Sequence, residues 1–285
     1  MYATISRLGF GGAVMLCALG SATAQEAEAP ADDDQPLRIC ASTKDAPYST
    51  GDGTGFENRI AEVLADETGM KLDLVMIDND AIYLFRDGIE KDLCDVLVGV
   101  DAGDERLLTS EPYYRSGYAF ISRQDRNFEG DKWQDVDQEG FETFSYRYHT
   151  PAETILKYSG RYEYNLVYQA SLTNFEDRRN QYTQVPADLV VSEVAAGNAD
   201  MAIIFAPDAG RYVRDSNESL KMTLITNEIE RSDGMIIPLQ YSQSVGVTED
   251  KPELLEKIDQ ALVSGKDRIQ AILDEENIPT LPLDS

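Results

Sequence analysis

The feature that most constrains the fold is an unbroken apolar run at residues 96–100, Val-Leu-Val-Gly-Val, which leads into an acidic turn with one glycine. A strand with one solvated face would alternate polar and apolar residues, so this run indicates a strand covered on both faces of a parallel sheet. Such sheets bind ligands beyond the carboxyl ends of their strands. The run therefore predicts that residues 101–106 border a site.

Two residues of this turn are candidates for that site, Asp101 at the strand end and Arg106 beyond it. The planar guanidinium of Arg106 presents paired donors that suit a carboxylate. Two interpretations of Arg106 stay open: it faces a ligand, or it pairs at the surface with Asp104 or Glu105.

The residues before this run alternate between strand and helix patterns. A strand at 37–41 is followed by a helix that starts near Phe56 and stops at Gly69, then by a strand at 71–77. A second helix, capped by Asp80 and burying Ile82 and Phe85, completes the pattern. Strand–helix–strand order of this kind favours right-handed crossovers and a parallel sheet.

A similar pattern returns after a polar stretch at 123–139. Thr150, Pro151 and Glu153 form a capping-box pattern that predicts a helix start, and an anion bound before Thr150 is one hypothesis for it. A helix at 186–196 and a buried strand at 200–205 follow, and two amphipathic helices end the chain. We therefore predict an α/β chain of two lobes, each with a mainly parallel sheet flanked by helices, with a cleft between them.

The predicted boundaries follow these shifts in composition. Residues 37–122 form the first part of lobe 1, residues 123–232 form lobe 2, and residues 233–285 return to lobe 1 and include the C-terminal helices. Six tyrosines lie between Tyr146 and Tyr168. They suit a planar ligand or a protein partner, and the alternative is a half-buried face of lobe 2.

The first 24 residues have the pattern of a secretory signal peptide: one cation, Arg7, a short apolar run, and a small-residue cleavage site that ends at Ala24. The run is too short to span a bilayer. We expect cleavage after Ala24 and a periplasmic protein. Residues 25–36 are acidic and lack large apolar side chains, which predicts a disordered leader.

Cleavage would leave two cysteines, Cys40 and Cys94, in an oxidising compartment. Both flank predicted strands of one sheet, so adjacent strands would bring their α-carbons to the ~6 Å that a bridge requires. We predict a disulfide, with two buried free thiols as the alternative.

The formal net charge of −27 excludes polyanions and anionic membranes as partners, and it favours a cationic partner or serves solubility alone. The single histidine, His149, directly precedes a helix cap, so a Ser-His-Asp or Cys-His catalyst is not expected. With both cysteines assigned to a bridge, no His-Cys metal cluster can form. We predict no catalytic residues, no metal and no cofactor in this chain.

The same stretches resemble a known family, the extracellular solute-binding proteins of the amino-acid type (family 3). The likeness spans nearly the whole mature chain. The motifs that carry it are Pro47-Tyr48, Gly55-Phe-Glu57, residues 95–100, Glu105-Arg106, Ser110-Glu-Pro-Tyr113, Thr150 with Glu153, and Gly197-Asn-Ala-Asp200. The resemblance implies a two-lobed, type II periplasmic-binding-protein fold.

By this resemblance, Arg106 would hold a ligand carboxylate, Tyr48 would line the cleft and Thr150 would donate from lobe 2. Two positions depart from the family pattern. Gly103 replaces the usual hydroxyl residue, and Phe205 replaces the acidic residue that binds a ligand amine. An amine beside Phe205 would lose a charge-assisted hydrogen bond of roughly 1.5–3 kcal/mol, so we expect no tight binding of common amino acids.

Residues 38–41, Cys94-Asp95 and residues 112–118 resemble a narrower branch, the periplasmic accessory proteins of methanol oxidation. That resemblance implies a non-enzymatic role in assembly, maturation or activation of methanol dehydrogenase, whose cofactor is pyrroloquinoline quinone (PQQ). The partner that this resemblance implies is a dehydrogenase subunit, the large, quinone-bearing one. The alternative is a transport receptor for a small, non-standard ligand.

Overall fold

The structure is a computed structural model that describes residues 35–173 and 183–283. The signal peptide expected at residues 1–24 and most of the acidic leader expected at residues 25–36 lie outside these ranges. Within them, no helix has the length and hydrophobicity that a membrane span requires.

The described residues form an α/β arrangement of thirteen strands and seven α-helices. The strands are β1 Leu37–Ser42, β2 Lys44–Asp45, β3 Ser49–Thr50, β4 Leu72–Ile77, β5 Val96–Asp101, β6 Leu108–Thr109, β7 Tyr114–Arg123, β8 Phe144–Tyr146, β9 Met201–Phe205, β10 Leu220–Leu224, β11 Ile229–Glu230, β12 Ile236–Ile237 and β13 Gln240–Val247. The helices are α1 Phe56–Thr68, α2 Pro151–Tyr158, α3 Tyr162–Ser171, α4 Ala187–Ala195, α5 Ala206–Arg214, α6 Pro252–Ser264 and α7 Lys266–Glu275.

The main sheet runs in the order β4-β1-β5-β13-β7-β9-β8. The predicted parallel pairing is present at β4–β1–β5 and at β8–β9. Antiparallel pairs enter where β13 lies between β5 and β7, and where β7 pairs with β9. The predicted α/β class is confirmed, with a central sheet flanked by helices.

Strand β7 joins the two parts of the sheet. Its residues 114–117 pair with β13, and its residues 118–123 pair with β9 and β10. The predicted lobe boundaries at 122/123 and 232/233 stay a prediction, but the chain passes from one half of the sheet to the other within β7 itself.

The two strands that were predicted to be covered on both faces are both covered. In β5, Val96 lies in the core formed with α1, α6 and α7, while Leu97 lies on the opposite face beside Cys40. In β9, Ile203 and Ala202 likewise enter different cores. Each run is apolar throughout because helices or loops pack on both sides of it.

The single helix predicted at 80–89 is wrong. The chain forms a 3₁₀ turn at Ala81–Tyr83 and a π-helical segment at Phe85–Ile89, and Ile82 is 54% exposed rather than buried. Gly88 packs against the cysteines so closely that a Cβ there would lie 2.1 Å from Cys40 Sγ. An ordinary side chain at position 88 would clash with sulfur in this arrangement.

The helix start predicted at Pro151 is confirmed, but the capping box is wrong in its contacts. The Thr150 hydroxyl donates to the Arg147 carbonyl at 2.8 Å and makes no cap bond. Instead, the Glu153 carboxylate accepts the backbone N–H of His149 at 3.0 Å. The carboxylate therefore bonds one residue earlier than the pattern predicted.

The predicted disulfide is confirmed. Cys40 in β1 and Cys94, two residues before β5, are bridged, with their α-carbons 5.5 Å apart. β1 and β5 are hydrogen-bonded neighbours, as the prediction required. The bridge lies in a small apolar core with Leu97 and Leu107.

Candidate functional site

A cavity of about 600 Å³ opens beyond the carboxyl ends of β1 and β5. Its lining includes residues of both halves of the sheet. All five site residues predicted from the sequence line it: Tyr48, Asp101, Arg106, Thr150 and Phe205. The cavity therefore lies where the sequence predicted it, beyond the carboxyl ends of the strands. A ligand-binding role for each of the five residues stays a prediction.

Arg106 is already paired within the chain. Its Nε and Nη2 donate to the two carboxylate oxygens of Asp104 at 2.9 and 2.6 Å, and its guanidinium lies over the Phe85 ring at 5.0 Å. The Arg106 hydrogen bonds lower the pKa of Asp104, so the pair is charged at neutral pH. Of the two interpretations of Arg106, a ligand contact or a pair with a neighbouring acid, the structure shows the pair with Asp104. A ligand carboxylate would have to compete with it.

A second ion pair crosses the cavity and involves Asp208 in the first turn of α5. One Asp208 oxygen accepts the Tyr48 hydroxyl at 2.6 Å, and the other accepts Arg147 Nη1 at 3.0 Å. Burial, and then the charge of Asp208, raises the pKa of Tyr48 well above its usual value, which keeps this hydroxyl protonated as the donor. The contact joins the loop after β2 to α5, 160 residues apart.

Phe205 ends β9 and lies among aromatic rings rather than beside an acid. Its ring centroid is 5.6 Å from that of Tyr118 and 5.9 Å from that of Tyr241. At this position the cavity offers an aromatic ring surface where the family pattern has a carboxylate for a ligand amine. The geometry agrees with the departure noted from the sequence.

The remaining predicted site positions bond within the protein. The Asp101 carboxylate accepts a hydrogen bond from Gln243 Nε2 at 2.9 Å, and the Thr150 hydroxyl donates one to the Arg147 carbonyl. At Gly103 the backbone has φ +82°, and its N–H donates to the Thr109 hydroxyl at 3.2 Å. That conformation favours glycine, so the hydroxyl side chain usual in the family would be strained there.

Besides Asp101, two carboxyl groups on the cavity wall have no ion-pair partner among the described residues, Asp45 and Glu57. Burial, and next the charge of Asp208, raises the pKa of Asp45 to about 7, although the nearby charge of Arg147 acts in the opposite direction. Burial also raises the pKa of Glu57 well above its usual value. Glu57 lies directly against Gly99, where a Cβ would come within 1.7 Å of Glu57 Oε1.

We expect Asp45→Asn to change how stability depends on pH. Because the pKa of Asp45 is about 7 in the folded protein and 3.8 as a free group, the folded state retains a proton that the unfolded state releases between these values. The free energy of unfolding of the wild type should therefore fall as pH rises from about 4 to 7.

The variant has no carboxyl group at position 45 and so lacks this loss. Its free energy of unfolding should equal that of the wild type near pH 4 and exceed it by roughly 2 kcal/mol at pH 8, because water in the cavity reduces the effect of burial. Urea denaturation at both pH values measures the difference. Asp52→Asn is a matched control, because Asp52 is exposed and its hydroxyl partners Thr50 and Thr54 lower its pKa. A difference that is constant over this pH range would contradict the assignment.

Sequence reasoning missed Asp45, Arg147 and Asp208 as cavity residues. Asp208 lies three residues after Phe205, in a helix that was not predicted, and Arg147 follows the last residue of β8. The position after β8 was a usable signal, since residues at strand ends point to this cavity. Arg147 and Asp208 are 61 residues apart, so their contact leaves no pattern in the local sequence from which it could be predicted.

Comparison with known proteins gives close relatives. No protein-family model matches the chain. It is 74% identical over 267 residues to Protein MoxJ of Paracoccus denitrificans, which covers 94% of this chain and 97% of that protein. It is 45% identical over 262 residues to Protein MoxJ of Methylorubrum extorquens AM1, covering 92% and 87%.

Solved structures agree in fold. MxaJ from Methlophaga aminisulfidivorans MPT is 41% identical with a TM-score of 0.81, covering 86% of this chain and all of that one. The periplasmic binding protein XoxJ from Methylobacterium extorquens AM1 is 23% identical with a TM-score of 0.64, covering 87% and 100%, and supports the fold alone. With these relatives and this cavity-bearing α/β architecture, the chain belongs to the MoxJ family and has the periplasmic-binding-protein fold.

Proposed function

We propose that this protein is a non-catalytic periplasmic accessory protein of methanol oxidation. It assists assembly, maturation or activation of the PQQ-dependent methanol dehydrogenase by direct contact with one of its subunits. The quinone belongs to the dehydrogenase, and the protein itself uses no cofactor. The proposed export depends on the expected signal peptide, cleaved after Ala24.

The observation that carries the proposal is that the two arginines of the cavity, the groups suited to a ligand carboxylate, are already paired with carboxylates of the protein itself. Arg106 is paired with Asp104, and Asp208 holds both Arg147 and Tyr48. A small solute would have to break a charge-assisted contact to bind at either arginine. Breaking the largely buried Arg147–Asp208 contact would cost roughly 1.5–3 kcal/mol, and breaking the solvent-exposed Arg106–Asp104 contact less than about 1 kcal/mol. Such a cavity suits a scaffold for protein contact better than a solute receptor.

The charge and the resemblance support the same function. A chain with a formal charge of −27 favours encounter with a cationic protein surface. The resemblance to accessory proteins of methanol oxidation supplies the partner.

The test is surface plasmon resonance with the mature protein and intact methanol dehydrogenase. We expect direct binding, with an association rate that falls as salt rises and the screening length drops below ~8 Å. Arg106→Ala should leave the complex intact, since Arg106 lies in the cavity and is bound by Asp104. If no complex forms at low salt, the proposed partner is wrong. If association is independent of salt, the partner stands and the electrostatic account is wrong.

A second candidate is a transport receptor for a small, non-standard ligand. The cavity favours it, because about 600 Å³ is within the range of roughly 300–1,000 Å³ typical of ligand pockets. Calorimetry with the common amino acids separates the two. We expect no sub-micromolar dissociation constant, and one such value would favour the receptor.

A further inference from the structure

Helix α3 is packed with its polar side facing the protein. The buried residues of α3 are Asn165 and Gln169, which are 2% and 0% exposed. A helix on a protein surface normally turns its apolar side inward. Tyr162 and Tyr168 pack partly against the neighbouring cores, but the two fully buried residues are amides, so the orientation of α3 has a cause in addition to burial of apolar area.

The cause is the edge of the sheet. β8 is the last strand of the sheet order, and among residues 35–173 and 183–283 no strand pairs with the outer side of its backbone. Asn165 Oδ1 accepts the Phe144 N–H at 2.8 Å, and Gln169 Nε2 donates to the Tyr146 carbonyl. Four residues along a helix rise about 6 Å and two residues along a strand about 6.6 Å, so the two amides match the two backbone groups.

This orientation leaves apolar side chains on the outer face of α3. Successive residues of an α-helix are about 100° apart around its axis, which places Val167 on the side opposite Asn165 and Gln169. The Val167 side chain is 83% exposed. Tyr164, 86% exposed, lies one turn before it on the same side. Rotating α3 to bury them would break both amide bonds to β8, so the exposure of this face is built into the fold.

The unpaired charge on this face is negative. Glu163 lies on the outer side of α3 and has no ion-pair partner among the described residues. The two cations at the start of α3 and at the end of α2 are already paired, Arg161 with Asp137 at 3.1 Å and Lys157 with Glu153 at 3.0 Å. The exposed apolar residues are therefore bordered by an uncompensated carboxylate, in a chain whose formal net charge is −27.

From these contacts we infer that the outer face of α3, formed by Glu163, Tyr164 and Val167, is the docking surface for a basic protein partner. The apolar centre supplies contact area, and the acidic border matches lysine or arginine side chains of the partner. A second copy of the chain would bring two surfaces of like charge together, which disfavours it. The inference rests on the proposed function in taking methanol dehydrogenase as that partner.

The test is surface plasmon resonance of intact methanol dehydrogenase with matched lysine variants. Val167→Lys places a cation at the centre of the face, and Val263→Lys places the same cation on α6, where Val263 is 79% exposed. We expect Val167→Lys to weaken binding by roughly tenfold or more, chiefly through faster dissociation, and Val263→Lys to change it by less than about twofold. Tyr164→Ser should act in the same direction as Val167→Lys without a change of charge.

The outcomes separate the inference from the proposed function. If the wild type does not bind the dehydrogenase, both are overturned. If the wild type binds and both lysine variants bind alike, only the docking surface is overturned. If Val167→Lys instead turns a dimer of this protein into a monomer in sedimentation, the face joins two copies and the inference is wrong.

Discussion

Asp208→Ala is expected to lower the free energy of unfolding by roughly 3 kcal/mol or more. The substitution removes the acceptor of two groups at once, the Tyr48 hydroxyl at 2.6 Å and Arg147 Nη1 at 3.0 Å. Asp208 is 8% exposed, and Arg147 Nε is buried without any hydrogen-bond partner of its own in the described structure. Arg147 would keep its charge in a partly desolvated position, and that uncompensated charge is the main cost.

Urea denaturation of the wild type and the variant measures this effect. The matched control is Asp215→Ala just after the same helix, where the pair with Arg214 is exposed and should contribute less than about 1 kcal/mol. Tyr48→Phe removes only the hydroxyl and should cost roughly 1 kcal/mol. If Asp208→Ala and Asp215→Ala lower stability equally, the Asp208 contacts do not hold the two sides of the cavity together.

Removing the disulfide has the second large effect. The Cys40→Ala/Cys94→Ala variant should be less stable by roughly 2–4 kcal/mol, because the bridge closes a loop with a sequence separation of 54 and so restricts the unfolded chain. Thermal and urea unfolding of the two proteins measure the loss. Chemical reduction of the wild type is the internal control and should give a loss of similar size.

Two observations would contradict this prediction. Mass analysis of the non-reduced protein would show free thiols at Cys40 and Cys94 if no bridge forms. A bridged wild type whose stability equals that of the double alanine variant would mean that packing of Leu97 and Leu107, not the cross-link, stabilises this core.

The sequence was sufficient for the parts of the fold that depend on local periodicity. Apolar runs such as 96–100 identify buried strands directly, and their carboxyl ends identify the cavity. Arg106 was a harder case, since its donors suit either a ligand or Asp104, and only the positions of the atoms decide between them. The prediction that Ile82 is buried in a helix is wrong. Helical spacing alone cannot show that Gly88, in the same segment, must pack against a disulfide.

Helix α3 was missed for a physical reason. Periodicity finds helices by their buried apolar side, and α3 instead buries Asn165 and Gln169, whose function is to bond β8. The six tyrosines between Tyr146 and Tyr168 are evident in the sequence. Their spacing, however, does not distinguish residues that line a ligand-binding cavity from residues that contact a protein partner. Long-range pairs such as Tyr48 with Asp208 depend on tertiary structure and have no signature in either segment.

The side-chain amides on β8 also have a consequence for self-association. An open strand edge offers unpaired N–H and C=O groups on which another chain can add a strand and begin a polymer. Asn165 and Gln169 occupy the Phe144 N–H and the Tyr146 carbonyl, so these two backbone groups are not available to an incoming strand. A newly made chain folds while other copies are still unfolded beside it, and α3, once docked, protects β8 against intermolecular β-sheet growth.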